Sequence, residues 1–206
     1  MKVLFQSVVP LHWGEAVGKS LVFVLVTALV FGGLYPALVT GFSLLFPEAR
    51  QGSLLVGEQV EGSRLIGQDY WAGPYFVGRP SETKPACNAA SSGASNLSPG
   101  NPRFKARVSE RIAALQARTG QKTLPPLDLV TASASGLDPH VSEAAALWQV
   151  PGVARAAGVS EALLKERIEA LAETDLFSRR RYVNVVLLNQ WVASQVQRVL
   201  PDAEKD

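Results

Sequence analysis

The 206-residue chain has a single cysteine, Cys87, and only two histidines, His12 and His140. One cysteine excludes an intramolecular disulfide and leaves a free thiol or a bond to another chain. Two distant histidines and a lone cysteine offer no ligand cluster at zinc-binding spacing, so no metal site is expected. Charge of one sign is also missing: 20 Lys and Arg stand against 18 Asp and Glu. Mixed signs give no basic stripe, which argues against a nucleic-acid partner. Between Lys19 and Glu48 there is no charged residue at all.

That uncharged run is the strongest signal in the chain. A helix rises 1.5 Å per residue, so about 20 residues cross a hydrocarbon core of roughly 30 Å. The run is long enough with some to spare. A cleaved signal peptide has an apolar core of roughly 7–15 residues and a small-x-small site. Phe46-Pro47-Glu48-Ala49 is a poor site, so an uncleaved anchor is expected. Pro36 lies within the run, which membrane helices tolerate, and Tyr35 and Phe42 to Phe46 suit the far interface. Lys2 and Lys19 precede the span, whereas Arg50 and Arg64 follow it. The positive-inside count leans slightly towards an inner N-terminus and leaves orientation open. The expected organisation is a tail at 1–17, a transmembrane anchor at 18–47 and one soluble domain at 48–206. The last is enough for a single core.

Within the domain, short apolar runs separated by glycines predict early strands at Ser53–Val56, Ser63–Ile66 and Tyr75–Val77. Residues 81–103 form a long loop of Ser, Ala, Asn, Gly and Pro, either a linker or a set of specific turns. Asn101 and Pro102 suit the N-cap and first position of a helix that Gly120 stops. Leu127–Thr131 reads as a strand. Further helices are expected from Ser142, breaking near Pro151, and from a Ser160 cap. Val183–Leu187 reads as extended, and Trp191–Leu200 as a helix ending at Pro201. Early strands and later helices predict an α+β class.

Catalytic motifs are weak. Gly14 to Ser20 imitates a phosphate-binding loop, but three residues separate its glycines where the motif has four. Ser135, Asp138 and His140 are the residue types of a nucleophilic triad. They crowd into six residues, with no nucleophile elbow. An anchored periplasmic hydrolase using Ser135 and His140 is the alternative reading.

Two segments fit neither core nor linker: Ser91 to Pro102, and Asp128 to Ser142 (DLVTASASGLDPHVS) continuing to Arg155. They resemble the C subunit of the bacterial Kdp potassium-transporting P-type ATPases. Tyr35-Pro36, Gly78-Arg79-Pro80-Ser81, Val183-Asn184-Val185 and Leu188-Asn189 agree with it. Ala94, Ser98 and Gly100 depart from the family loop, and Gly152 stands where the family tends to have Arg. The resemblance implies a non-catalytic accessory subunit with no intrinsic cofactor, which assembles or stabilises an ATP-driven K⁺ importer. It implies three partners: a channel-like K⁺-binding subunit, an ATP-hydrolysing P-type subunit and a small single-span subunit. Lipid would surround the anchor. The location would be the bacterial inner membrane, with the domain in the periplasm. The resemblance also carries a catalytic-chaperone role, raising the ATP affinity of the pump subunit through a ternary complex with ATP. Gln149, with Ser133, Ser135 and Gly136, would then contact nucleotide. A periplasmic domain does not meet cytoplasmic ATP, so assembly ranks above nucleotide binding. Ser92, Gly93, Ser95, Asn96 and Asn101 are the expected partner contacts. Gln149 is expected one turn before a kink, about 100° from Val150 and facing solvent or a partner.

Overall fold

The computed structural model describes residues 13–56 and 60–199. Lys2 and His12, and the expected helix end at Leu200–Pro201, lie outside the described residues. The chain forms two compact units that meet between Ser53 and Leu54.

The first unit is essentially one helical path, Trp13–Ser43, of 31 residues. At 1.5 Å per residue this is roughly 46 Å, longer than a hydrocarbon core. Its parts are α1 (Trp13–Leu29), a π-turn (Val30–Leu34) and α2 (Tyr35–Ser43). None of its residues is buried by protein, and Leu21, Phe23, Leu25, Phe31 and Leu38 are all exposed. A helix apolar all round needs lipid or partner helices to cover it. The π-turn has a local cause. Pro36 has no N–H to give, and its ring crowds the carbonyl one turn back. The ladder widens there, with the Tyr35 N–H bonding Val30 O five residues earlier. Gly14 to Ser20 lie inside α1, where Lys19 pairs with Glu15 one turn away at 3.4 Å. A one-turn helix, α3 (Pro47–Arg50), follows.

The second unit is a mixed helix and sheet domain. It opens with an antiparallel pair, β1 (Leu54–Val56) and β2 (Val60–Ser63). A long irregular stretch leads to α4 (Pro102–Thr119) and the single turn α5 (Leu127–Val130). Then come β3 (His140–Ser142), α6 (Glu143–Ala157), α7 (Glu161–Leu171), β4 (Glu173–Thr174), β5 (Arg181–Asn184) and α8 (Val185–Val199). The order β3-β5-β4 makes a small antiparallel sheet with β5 central. Helix α6 is the hub, packing on α4, α7, β3 and β5. Val150, Leu164, Ile168, Val183, Leu188 and Phe76 are fully enclosed in the core. The architecture is α+β, as expected.

The expected caps hold. Asn101 Oδ1 accepts from Arg103 N at 2.9 Å, Ser142 Oγ from Ala145 N at 3.2 Å and Ser160 Oγ from Leu163 N at 3.3 Å. Gly120 closes α4 at φ +71°, its N–H on Gln116 O.

Four expectations are corrected. Leu127–Thr131 is a helical turn, not a strand; a short apolar run does not separate the two, and Pro126 starts the turn. Of Ser63–Ile66, only Ser63 is strand, the last residue of β2, and Arg64–Ile66 form the turn after it. Helix α6 runs through Pro151 without ending, because Val150, Gly152 and Val153 around it are buried against neighbours and hold the helix. Val183–Leu187 is split at Asn184, whose Oδ1 accepts from Val186 N and Leu187 N and so ends β5 and caps α8.

Candidate functional site

Tyr75–Val77, an apolar run with no strand partner among the described residues, shows how side chains replace a sheet. Its backbone bonds to two buried amides. Asn189 on α8 accepts from Phe76 N and donates to Phe76 O, both at 2.8 Å. Gln149 on α6 accepts from Val77 N at 2.8 Å and donates to Val77 O at 3.1 Å. Each amide presents a donor and an acceptor side by side, as a neighbouring strand would. Gln149 also donates to Ala145 O at 3.2 Å. It is 1% exposed. The expectation that it faces solvent or a partner is therefore overturned. Its helix does not end at Pro151, and the face carrying Val150 and Gln149 is the buried one, whereas Leu147 is 39% exposed.

Beyond Val77 the chain enters Gly78-Arg79-Pro80-Ser81, and here the two distant segments meet. Ser133 N donates to Pro80 O, Gly93 N to Ser135 O and Ser92 Oγ to Ser135 O. Ser81 Oγ donates to Gly136 O at 2.8 Å and accepts from Cys87 N at 3.0 Å. Thr83 Oγ1 accepts from Asn88 N and donates to Pro85 O. Gly136 has φ +71°, and a Cβ there would lie 2.8 Å from Gly93 O and from Thr83 Cγ2. Only glycine lets the loops close this tightly. The loop at 81–103 is thus a set of specific turns zipped onto 132–137.

Ser133, Ser135 and Gly136 share this zipper, while Gln149 is committed elsewhere. The Ser133–Gly136 run does not begin a helix; Leu137, Pro139 and β3 intervene before α6. Two of its N–H groups are engaged, Ser133 N on Pro80 O and Gly136 N on Ser133 Oγ, and the Leu137 N–H that follows donates to Ser135 Oγ. Among the partner-contact candidates, Asn101 is engaged as the α4 cap and Ser95 Oγ accepts from Leu97 N. Asn96, at φ +51°, and Ser92 stand exposed on the loop.

Charge frames the zipper. Arg79 donates to Ala132 O at 3.2 Å and pairs with Asp138 at 3.4 Å. His140 Nδ1 lies 3.6 Å from the same carboxylate. Burial works to raise the Asp138 pKa, but hydrogen bonds from His140 and the charge of Arg79 hold it below the usual aspartate range. Among the described residues no hydrogen bond joins Ser135 to His140, and Ser135 Oγ is turned to Leu137 N. In the lining of a cleft of about 500 Å³, Glu82 takes both Arg107 and Arg111. Burial would raise its pKa; the two guanidinium groups lower it overall. Arg118 ties the 70–75 segment to α4, donating to Gly73 O at 2.6 Å and Tyr75 O at 3.1 Å. Sequence reading missed Glu82, Arg107, Arg111 and Arg118. The spacing of 107, 111 and 118 along one helix was the available signal, but it also describes any solvated face.

Known proteins resemble this chain along most of its length. A family model described as "KdpC: K+-transporting ATPase, c chain" matches residues 17–194, from α1 through most of α8. A potassium-transporting ATPase KdpC subunit of Methylibium petroleiphilum is 49% identical, covering 82% of this chain and 92% of its own. Proteins of the same name from Geobacter sulfurreducens and Klebsiella pneumoniae are 44% and 42% identical. They align over 82% of this chain and over 93% and 92% of their own. The match spans both units, and the chain belongs to the KdpC family, the c chain of K⁺-transporting ATPases.

Proposed function

We propose that this chain is the non-catalytic, single-span subunit of an ATP-driven K⁺ importer, and that it assembles and stabilises that complex. The observation that carries the reading is the pairing of two features in one family member. One is a 31-residue apolar helix with no buried residue. The other is a domain whose two most specific segments are spent on holding each other. The first requires lipid or partner helices. The second builds a fixed surface, which suits docking better than turnover. A span without charged residues between Lys19 and Glu48 is a poor ion path of its own.

In this reading the partners are a channel-like K⁺-binding subunit, an ATP-hydrolysing P-type subunit and a small single-span subunit. The domain faces the periplasm of a bacterial inner membrane. Any effect on the ATP affinity of the pump subunit is transmitted through the assembled complex. Gln149, Ser133, Ser135 and Gly136 contribute by holding backbone, not by touching nucleotide.

The test is purification of the tagged full chain from detergent-solubilised membranes. Co-purification of large membrane subunits with K⁺-stimulated ATPase activity is expected. A chain recovered alone, with esterase or peptidase activity lost in Ser135→Ala, would establish the hydrolase alternative instead.

A further inference from the structure

The hairpin tip between β4 and β5 exposes its two large apolar residues. Leu176 is 88% and Phe177 94% exposed. Hydrophobic burial normally hides such a pair, and single exposed residues need no explanation. Here the exposure is built in. Asp175 Oδ1 accepts from Phe177 N at 3.0 Å and from Ser178 N at 2.5 Å. Arg179 N closes on Asp175 O, and Asp175 N bonds Arg180 O. Arg179 sits at φ +52° to complete the turn. The tip is therefore a fixed turn that holds Leu176 and Phe177 outward. Arg179 and Arg180 follow, both exposed and outside any ion pair among the described residues, whereas Arg181 is taken by Glu143 at 2.8 Å.

We infer that residues 175–180 form a second membrane contact, in which Leu176 and Phe177 enter the headgroup boundary of an anionic bilayer while Arg179 and Arg180 meet lipid phosphates. An apolar tip followed by free cations has the chemistry of an interfacial anchor. Arginine pairs with phosphate through its planar fork. The inference rests on the anchored reading above, and that reading supplies the missing factor. Two apolar side chains and two arginines make a weak site alone. A tether of 10 residues, four of them in the one-turn helix α3, separates Ser43 from Leu54. Such a tether keeps the domain at high effective concentration beside the bilayer, and weak contacts then count.

The experiment uses the full chain in lipid nanodiscs, with Cys87→Ser and a polarity-sensitive fluorophore on Leu176→Cys. Discs of phosphatidylcholine alone are compared with discs that also hold phosphatidylglycerol. A blue shift, with quenching by nitroxide-labelled lipid, is expected in the anionic discs. Arg179→Gln with Arg180→Gln should weaken the lipid-contacting state roughly 30-fold, from the usual gain per basic residue at an anionic surface. Hydrogen exchange of the unsubstituted chain should show slower exchange at 176–180 in the anionic discs. Water-like emission and equal exchange in both discs would overturn the inference. So would a blue shift that needs the other subunits and is not quenched by labelled lipid, which would assign the tip to a protein surface. Co-elution of chain and discs reports the anchor separately; a chain that fails to enter the discs overturns both readings.

Discussion

Replacing Gln149 with alanine should damage folding before it damages anything else. The change removes three hydrogen bonds, two of them to the backbone of Val77. Ala145 O loses least, since helix carbonyls at that position keep a backbone donor. Val77 N and O have no strand beside them, and Val77 is only 6% exposed. Each is left without a partner in the interior, at about 1–3 kcal/mol apiece. Loss of the buried side-chain methylenes adds to this. The expected cost is therefore about 3–5 kcal/mol. For a domain of this size that is a fall in Tm of roughly 6–20 °C. The assay is thermal unfolding of the full chain in detergent, followed by near-UV circular dichroism. The ATP dependence of the complex assembled from the same variant is measured alongside. A Gln149→Glu variant discriminates further: it keeps the acceptor for Val77 N but loses the donor to Val77 O and buries a charge, so it should be no better than alanine. If Gln149→Ala unfolds at the wild-type temperature and the complex nevertheless needs more ATP, the clamp argument is wrong and the residue touches nucleotide.

Four further outcomes are expected. Gly136→Ala should lower stability by about 2–4 kcal/mol, because its Cβ would press on Gly93 O and Thr83 at an already left-handed φ; an unchanged Tm would show that the loops separate freely. The Glu82 and Asp138 carboxyls both have folded pKa values lowered from ordinary values of 4.5 and 3.8. Their contribution is thus present above those values and lost as pH falls through the folded ones, so the Tm gap between wild type and Glu82→Gln should narrow from pH 6 to pH 3. In intact spheroplasts, a cysteine at Arg50 should react with a membrane-impermeant maleimide; reaction only after lysis would reverse the proposed topology. Ser92 and Asn96 should lose solvent exchange at neighbouring amides on assembly, and equal exchange in free and assembled chain would remove that loop from the interface.

Elements with their own punctuation were legible in the sequence. The long apolar N-terminal helix, the Asn101 and Ser160 caps, the Gly120 stop and the α+β class follow from local chemistry that reads the same in any fold. Other features depend on partners far along the chain. Tyr75–Val77 has the pattern of a strand, yet what pairs with it is two side chains, 72 and 113 residues away. Gln149 was placed on the right helix but on the wrong face, because helical angles alone cannot say which side of α6 meets α4, α7 and the sheet. The meeting of Ser81, Gly93 and Gly136 was equally hidden. The segments were recognisable as special, but no spacing rule links a Ser to a glycine carbonyl 55 residues on. The hairpin tip at Leu176 and Phe177 went unread, since a dipeptide of that kind in an unknown context is simply core.

The π-turn in the apolar N-terminal helix has a consequence for anything that packs along it. Widening one turn from four residues to five takes up one extra residue, about 100° of helical rotation. Side chains at seven-residue intervals therefore do not form one straight seam from Trp13 to Ser43. A stripe that points at a neighbouring helix below Leu29 is carried round to a different side above Tyr35. Two different neighbours can each be met by a regular stripe, one on either half, by a single helix that never has to break.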